Sequence, residues 1–408
     1  MIEMDVLVIG GGLAGMAAAL GAKEGGCKNI SLLESEAKLG GMLRSYYDPA
    51  FGQMPGGVSG SEAVQHSLRK IQSSRILVRC NSTVCSIDNG HFVTAVSSKY
   101  GLQQYHAKAI VLATGCFERP LDARITGTRP AGIFSAGMVQ QLFDAHCLPG
   151  SSVIIYGSGG TGLAMARRMT QAGIQVQSVF EPLPYARALL YQKSSLNESI
   201  PILLNHTITC LHGVRKLEGV SVAQIDAQGT MDTQKRIDCD TLVYSLGLVP
   251  DKMLGVSAKV HYDPCTGGPF IDECYRTSVQ SIFACGNALF VYNAIDDLVT
   301  QARLAGLFSA EQIKCGQLPA DQKRIIVSAG VGVRGVLPQF INKDTEKDVM
   351  VTFWPNHIYS NARVCVEADG EPICVKSYRL LTPGESVMVT LPFESYIGTD
   401  RLNVFIDE

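Results

Sequence analysis

No two cysteines in this 408-residue chain are spaced C-x-x-C, although thirteen cysteines are present. The spacing that marks zinc ribbons, iron–sulfur runs and thioredoxin-type dithiols is therefore missing, and no metal site is read. Cys80 and Cys85 show the four-residue gap used by disulfide reductases. They lie, however, in the β-branched stretch Arg75 to Cys85, where positions five apart on one strand face opposite sides. A run of like charge is missing too. With 35 basic and 37 acidic residues the formal net charge is -2, which leaves no electrostatic footprint for nucleic acid or an anionic membrane.

A long apolar run is also lacking. Val6 to Ala22 comes nearest, but its 17 residues sit at the lower limit for a span, and glycines punctuate it. It follows Met1-Ile2-Glu3-Met4-Asp5, which carries acids where a secretion signal carries bases. The expectation is a cytoplasmic protein with no membrane span and with reduced, mostly buried thiols. Hydrophobic residues make up 46% and charged residues 18%, an ordinary globular composition of two or three domains.

What is present is a glycine-rich turn used twice. Gly10-Gly11-Gly12-Leu13-Ala14-Gly15 and Gly157-Ser158-Gly159-Gly160-Thr161-Gly162 each have an acid 24 positions after the first glycine, at Glu34 and Glu181. Each turn joins an apolar run, Met4 to Ile9 or Ser152 to Tyr156, to a small-residue helix. A second strand follows in each case, Ile30 to Glu34 or Gln175 to Glu181. That β-turn-α-β context is what gives the glycines meaning. Gly10 permits the tight turn, Gly12 lets a diphosphate approach the backbone, and Gly15 lets helix and strand pack closely. The helix N-terminus presents unpaired N–H groups to the anion. Glu34 is placed to accept hydrogen bonds from ribose hydroxyls, and Gly157, Gly159, Gly162 and Glu181 repeat the design. A carboxylate at Glu181 favours the 2′-hydroxyl of NAD, while Arg187, six residues on, leaves NADP open.

Between and after the turns, Ser61 to Gln72 reads as an amphipathic helix, Arg75 to Tyr105 as a meander, and Asp296 to Cys315 as a long helix. The expected fold class is α/β, with two Rossmann-like dinucleotide-binding domains, the second inserted in the first. Residues 1–120 and 248–318 form the first domain and 121–247 the second. Beyond Pro319, alternation and turn pairs such as Asp369-Gly370 recur at roughly ten-residue intervals. They predict a small all-β domain over 319–408 that stabilises, dimerises or docks.

The order of these strings resembles the two-dinucleotide flavoproteins of the pyridine nucleotide-disulfide oxidoreductase superfamily over residues 4 to about 316. The strings are the two turns with their acids, Leu39-Gly40-Gly41, Ala113-Thr114-Gly115, Ser245-Leu246-Gly247-Leu248-Val249-Pro250 and Ile282-Phe283-Ala284-Cys285-Gly286-Asn287. The resemblance implies FAD in the first site and a nicotinamide nucleotide in the second. It implies FAD contacts at Gly10, Gly12, Ala14, Gly15, Glu34, Ser35, Gly41, Met42, Val84, Thr114, Gly115, Gly286 and Asn287. It implies nucleotide contacts at Gly157, Gly159, Gly160, Thr161, Gly162, Glu181 and Gly247. Asn287 stands where the family usually carries Asp and keeps the hydrogen-bonding role without the charge. The helix near Asp296 is expected to aim its N-terminus at the flavin N1–O2 edge.

The chain departs from the superfamily's name: no cysteine follows Gly40-Gly41 at the position used by dithiol or peroxidase-type members. Thr114 to Pro120, Gly127 to Gly137 and Asp263 to Pro269 look like a subgroup with opine oxidase A subunits, a hydrogen cyanide synthase subunit and partners of FAD-dependent glycerol-3-phosphate dehydrogenases. Members commonly work with a second flavoprotein. The expected function is hydride exchange with NAD(P)H and electron relay to or from a partner dehydrogenase or a small-molecule substrate, without a redox disulfide. Two rivals stay open: a subunit of a heteromeric amine, opine or hydroxy-acid dehydrogenase, and a nonenzymatic flavin-stabilised assembly subunit. Homo- or hetero-oligomers are compatible with all three. No catalytic acid or base is named.

Overall fold

In a computed structural model, described over residues 1–45, 59–88, 91–187, 200–232, 234–316 and 323–408, the chain forms two compact units. Among the described residues, one unit comprises those up to Cys116 and from Pro250 onward, and the other comprises Phe117–Val249.

The first unit is built on a seven-stranded sheet. Its order is Leu77–Arg79, Ile30–Leu33, Ile2–Ile9, Gly101–Leu112, Phe92–Ser97 and Ser82–Asp88, and Ile282–Ala284 also pairs with Gly101–Leu112. Ile2–Ile9 runs parallel to both neighbours, with Val6 opposite Ile30 and Ala109. A strand paired on both edges and covered on both faces reads as a continuous apolar run; Val6, Leu7 and Val8 are fully buried. Helix Leu13–Glu24 packs on helix Ile295–Cys315 through small residues, so closely that a Cβ at Gly306 would lie 1.9 Å from the Ala18 carbonyl oxygen. Helix Gly60–Ser73 begins where Ser59 and Glu62 cap one another. The Ser59 N–H donates to Glu62 Oε2 at 2.7 Å, and the Glu62 N–H donates to Ser59 Oγ at 3.2 Å.

The strands of 323–408 form a five-stranded and a three-stranded sheet around their own core, in which Val351, Phe353, Val364, Val389, Leu402 and Val404 are sealed from solvent. Asp369 and Gly370, both at positive φ, make the two-residue turn between Tyr359–Ala368 and Glu371–Leu381. This sandwich is joined to the rest of its unit by polar and aromatic contacts. Tyr292 donates to Gln301 Oε1 at 2.6 Å, Gln301 Nε2 donates to Thr352 Oγ1 at 3.0 Å, and Phe290 stacks on Trp354 with ring centres 3.6 Å apart. Gln339 accepts from the Ile271 N–H and donates to Asp263, and Asn342 bonds Asp272 and Glu273.

The second unit holds an all-parallel sheet, Ile202–Leu204, Gln175–Glu181, Ser152–Tyr156, Thr241–Tyr244 and Ile133–Ser135, with helices Ala136–Asp144 and Gly160–Gln171. A four-stranded sheet, Lys235–Ile237, Gly219–Gln224, His206–His212 and Thr126–Gly127, completes it. Among the described residues, no helix is long and apolar enough to cross a membrane.

Candidate functional site

Ligands of open α/β sheets bind outside the carboxyl ends of the strands. In the first unit, those ends bring the sequence-predicted residues together. Backbone bonds continue the ladder past the strands: Gly10 N to Leu33 O, Ala113 N to Ile9 O and Cys285 N to Leu112 O, at 2.9–3.0 Å. Gly10 turns at a φ of +107°, and a Cβ there would meet the Ala113 carbonyl oxygen at 2.2 Å. Gly12 caps helix Leu13–Glu24 without a side-chain cap bond, and a Cβ there would meet nothing within 4 Å. The first-turn N–H groups therefore open on free space, the geometry an anionic diphosphate needs.

Three further segments border that space. Gly40 bridges to Gly12 and donates its N–H to Gly11 O at 2.9 Å, and a Cβ at Gly41 would lie 3.2 Å from Gly12 Cα. Gly286, at a φ of +62°, abuts Ala14. Asn287 accepts the Tyr292 N–H at 3.2 Å on Oδ1, and its Nδ2 lies 3.6 Å from Cys116 Sγ. Thr114 and Gly115 are half-buried at the end of Gly101–Leu112. Met42 is exposed, and Val84 sits half-buried in the meander opposite Ala95.

Glu34 anchors the first turn. Its Oε2 accepts the Gly11 N–H at 2.7 Å; its Oε1 accepts the Glu36 N–H at 2.8 Å and the Ser35 hydroxyl at 3.1 Å. A carboxylate offers about four acceptor positions, so one remains, and Glu34 keeps 8% of its surface exposed. Asp297, in the first turn of helix Ile295–Cys315, has its carboxyl raised by burial and by the neighbouring Asp296 charge. Burial pushes the Cys285 thiol up to about 12, which leaves it unreactive as a nucleophile. Among the described residues, no two cysteines are joined in a disulfide.

The second unit repeats the turn with one difference. Gly157 has a φ of +102°, and a Cβ there would meet Ser245 O at 2.2 Å; Gly159 caps helix Gly160–Gln171, again without a side-chain bond. Gly160 and Thr161 open the helix, and Gly162 packs on Ser245. Here Ser158 occupies the place held by Gly11, and it binds the acid twice. Glu181 Oε2 accepts the Ser158 N–H at 2.8 Å and hydroxyl at 2.6 Å, and Oε1 accepts the Leu183 N–H at 3.0 Å. Arg187 Nε lies 3.6 Å from the same Oε2, and Arg187 Nη1 is 3.4 Å from Leu246 O, beside Gly247. Glu181 is completely sealed. Sequence reasoning missed the roles of Gly11 and Ser158 as the donors that fix the two acids. The signal was available, since the residue after the first glycine faces the end of the second strand in both units.

A family model described as pyridine nucleotide-disulphide oxidoreductase matches residues 4–306. Subunit HcnB of hydrogen cyanide synthase from Pseudomonas protegens is 24% identical over 283 residues, which are 62% of this chain and 58% of HcnB, so the chain matches less than two-thirds of that relative. Ferredoxin–NADP reductase 1 of Listeria monocytogenes is 23% identical over 292 residues, 70% of this chain and 84% of the reductase. The crystal structure of thioredoxin reductase from Lactococcus lactis covers 77% of this chain and 100% of its own, with a TM-score of 0.61 at 19% identity, a likeness of fold. By the extent of the family match, this chain belongs to the pyridine nucleotide-disulphide oxidoreductase family of FAD- and NAD(P)H-dependent oxidoreductases.

Proposed function

We propose that the chain exchanges a hydride with NAD(P)H through FAD and relays electrons to or from a partner dehydrogenase subunit or a small-molecule substrate, without a redox-active disulfide. The observation that carries this reading is the duplicated turn: at Gly12 and at Gly159 a glycine leads into a helix N-terminus that has no side-chain cap, with open space beside Gly12 and Ser245 in van der Waals reach of Gly159. In the first unit, the N–H groups of the first turn of helix Leu13–Glu24, with Gly12 and Gly41, would hold the FAD diphosphate. Glu34 would take a ribose hydroxyl on its remaining lone pair, and Gly286 and Asn287 would face the ribityl chain. Bound there, FAD supplies reversible two-electron chemistry, and the protein supplies position and field. The start of helix Ile295–Cys315, which has no side-chain cap, would bring partial positive charge toward the flavin edge where reduction builds negative charge. In the second unit, Gly159, Gly160 and Thr161 would receive the nicotinamide nucleotide's diphosphate.

We read the domains as 1–120 with 248–318 for FAD, 121–247 for the nicotinamide nucleotide and 319–408 for the β-rich tail. Thirteen cysteines with no disulfide among them suit a reducing compartment, so the proposed location is the cytoplasm. A second reading is favoured by the sealed state of Glu181: the chain would be the FAD-binding subunit of a heteromeric dehydrogenase, as HcnB is a subunit by name, with the second turn serving another ligand. Purified protein, scanned for flavin absorption under anaerobic conditions before and after NADH or NADPH, tests the proposal. Rapid bleaching by either nucleotide is expected. A protein that neither holds flavin nor can be reconstituted with it would overturn the proposal, and bleaching only by an amino-acid derivative or hydroxy acid would establish the second reading.

A further inference from the structure

Asn287 is set in place by residues far from it in the chain. The backbone N–H of Tyr292 can only donate, and it meets Asn287 Oδ1 at 3.2 Å. The orientation of the side-chain amide is thereby fixed, with Nδ2 turned the other way and 3.6 Å from Cys116 Sγ. A carboxylate at this position would offer acceptors alone, whereas this amide presents N–H donors.

Tyr292 is held in turn. Its ring is buried beside Phe290, with ring centres 5.3 Å apart. Its hydroxyl donates to Gln301 Oε1 at 2.6 Å, and burial keeps the phenol well above its ordinary value, so it remains a donor. Gln301, 2% exposed, donates from Nε2 to Thr352 Oγ1 at 3.0 Å, with Met388 Sδ at 3.5 Å. Thr352 and Met388 are opposite one another on neighbouring strands of the three-stranded sheet of the sandwich. The stack of Phe290 on Trp354 fixes the same segment a second time. Thr352, Trp354 and Met388 all lie beyond residues 4–306, the extent of the family match.

We infer that Gln301 is a positioning residue for the flavin: through Tyr292 it holds Asn287 as a ready hydrogen-bond donor, so that the sandwich sets how tightly the first site keeps FAD. The inference rests on the reading that Asn287 faces the ribityl chain, whose hydroxyl oxygens can accept from Nδ2. Gln301 acts without touching the ligand. An amide whose orientation is already fixed need not be ordered when the ligand arrives, and that saving appears as affinity.

The test is titration of the flavin-stripped full chain with FAD, read by the quenching of flavin fluorescence. Tyr292→Phe and Thr352→Val each delete one hydroxyl and keep the bulk of the side chain. Each is expected to weaken FAD binding about five-fold, the worth of one hydrogen bond. Gln301→Met should weaken it about ten-fold or more, and the two hydroxyl deletions decide the matter if this buried variant does not fold. In an Asn287→Ala background, Thr352→Val should change the affinity by less than about two-fold, because residues that act through one another are not additive. An undiminished loss in that background gives Thr352 and Gln301 a merely structural role and overturns the inference. Parent-like affinity in both hydroxyl deletions overturns it too. A parent chain that takes up no FAD defeats the underlying reading instead.

Discussion

Two acids stand at equivalent places in the two units and have different surroundings. Glu34 faces Gly11, which contributes one N–H and no side chain; its other two bonds come from Ser35 and Glu36 beside it, and it keeps a small exposed surface. Glu181 faces Ser158, whose hydroxyl adds a second bond and whose bulk, with Arg187 beside it, seals the acid. Identical motif spacing therefore does not guarantee identical ligand chemistry. The hydroxyl at the residue after the first glycine accompanies the difference between an acid with a small exposed surface and one with none.

The comparison requires first that the glycines themselves behave alike. Gly10→Ala and Gly157→Ala each place a Cβ 2.2 Å from a carbonyl oxygen at positive φ, so each is expected to cost roughly 3–5 kcal/mol or to prevent folding. Thermal melts of both variants check this, and tolerance of either substitution would mean that its turn is not as tight as described. The acids should then diverge. Glu181→Ala strands the Ser158 and Leu183 donors in a sealed place and is expected to cost about 3 kcal/mol of stability. Glu34→Ala is expected to cost about 1 kcal/mol in flavin-free protein and to appear mainly as faster flavin loss on dialysis. Equal destabilisation by the two would break the contrast.

Ser158→Gly converts the second turn to the first turn's pattern by removing the 2.6 Å bond to Glu181. A loss of about 1 kcal/mol in denaturant unfolding is expected. The smallest effect lies away from both turns. Burial and the Asp272 charge raise the Glu273 carboxyl above its ordinary value, although Asn342 donates to it. Its folded-state value lies above the unfolded one, so its stabilising contribution is full below about pH 4.5 and is lost as pH rises through the folded value. Glu273→Gln should accordingly raise the neutral-pH Tm by about 2 °C, and the advantage should vanish in acid. A pH-independent difference would refute the assignment.

Much of this architecture was legible in the residues. Ser152–Tyr156 and Gln175–Glu181 have the bounds read from the sequence; the first shows the near-continuous apolar run of a strand covered on both faces, and the second is fixed by its place after the glycine turn and helix. Strand Ile133–Ser135 and helix Ala136–Asp144 were not read, although Ser135 caps that helix by accepting the Met138 N–H. A three-residue strand has too short a period to recognise, and the edge it completes is non-local. Gly101–Leu112 proved longer than its apolar core from Ala109, because its first half is a half-exposed hairpin arm. At the sites, the glycine geometry followed from the motif. The burial of Glu181 did not, since it depends on Ser158 and on a loop residue, Arg187, converging from different segments.

The Tyr292–Gln301–Thr352 relay has a practical corollary. Helix Ile295–Cys315, whose first turn borders the proposed isoalloxazine pocket, is braced from behind by a strand contributed some fifty positions later in the chain. Trimming the gene after residue 316 to obtain a minimal reductase would bare the Phe290 ring and orphan a buried amide. Such a fragment would be expected to precipitate or shed its pigment, and the appended sandwich is better regarded as the backrest of the flavin domain than as a detachable accessory.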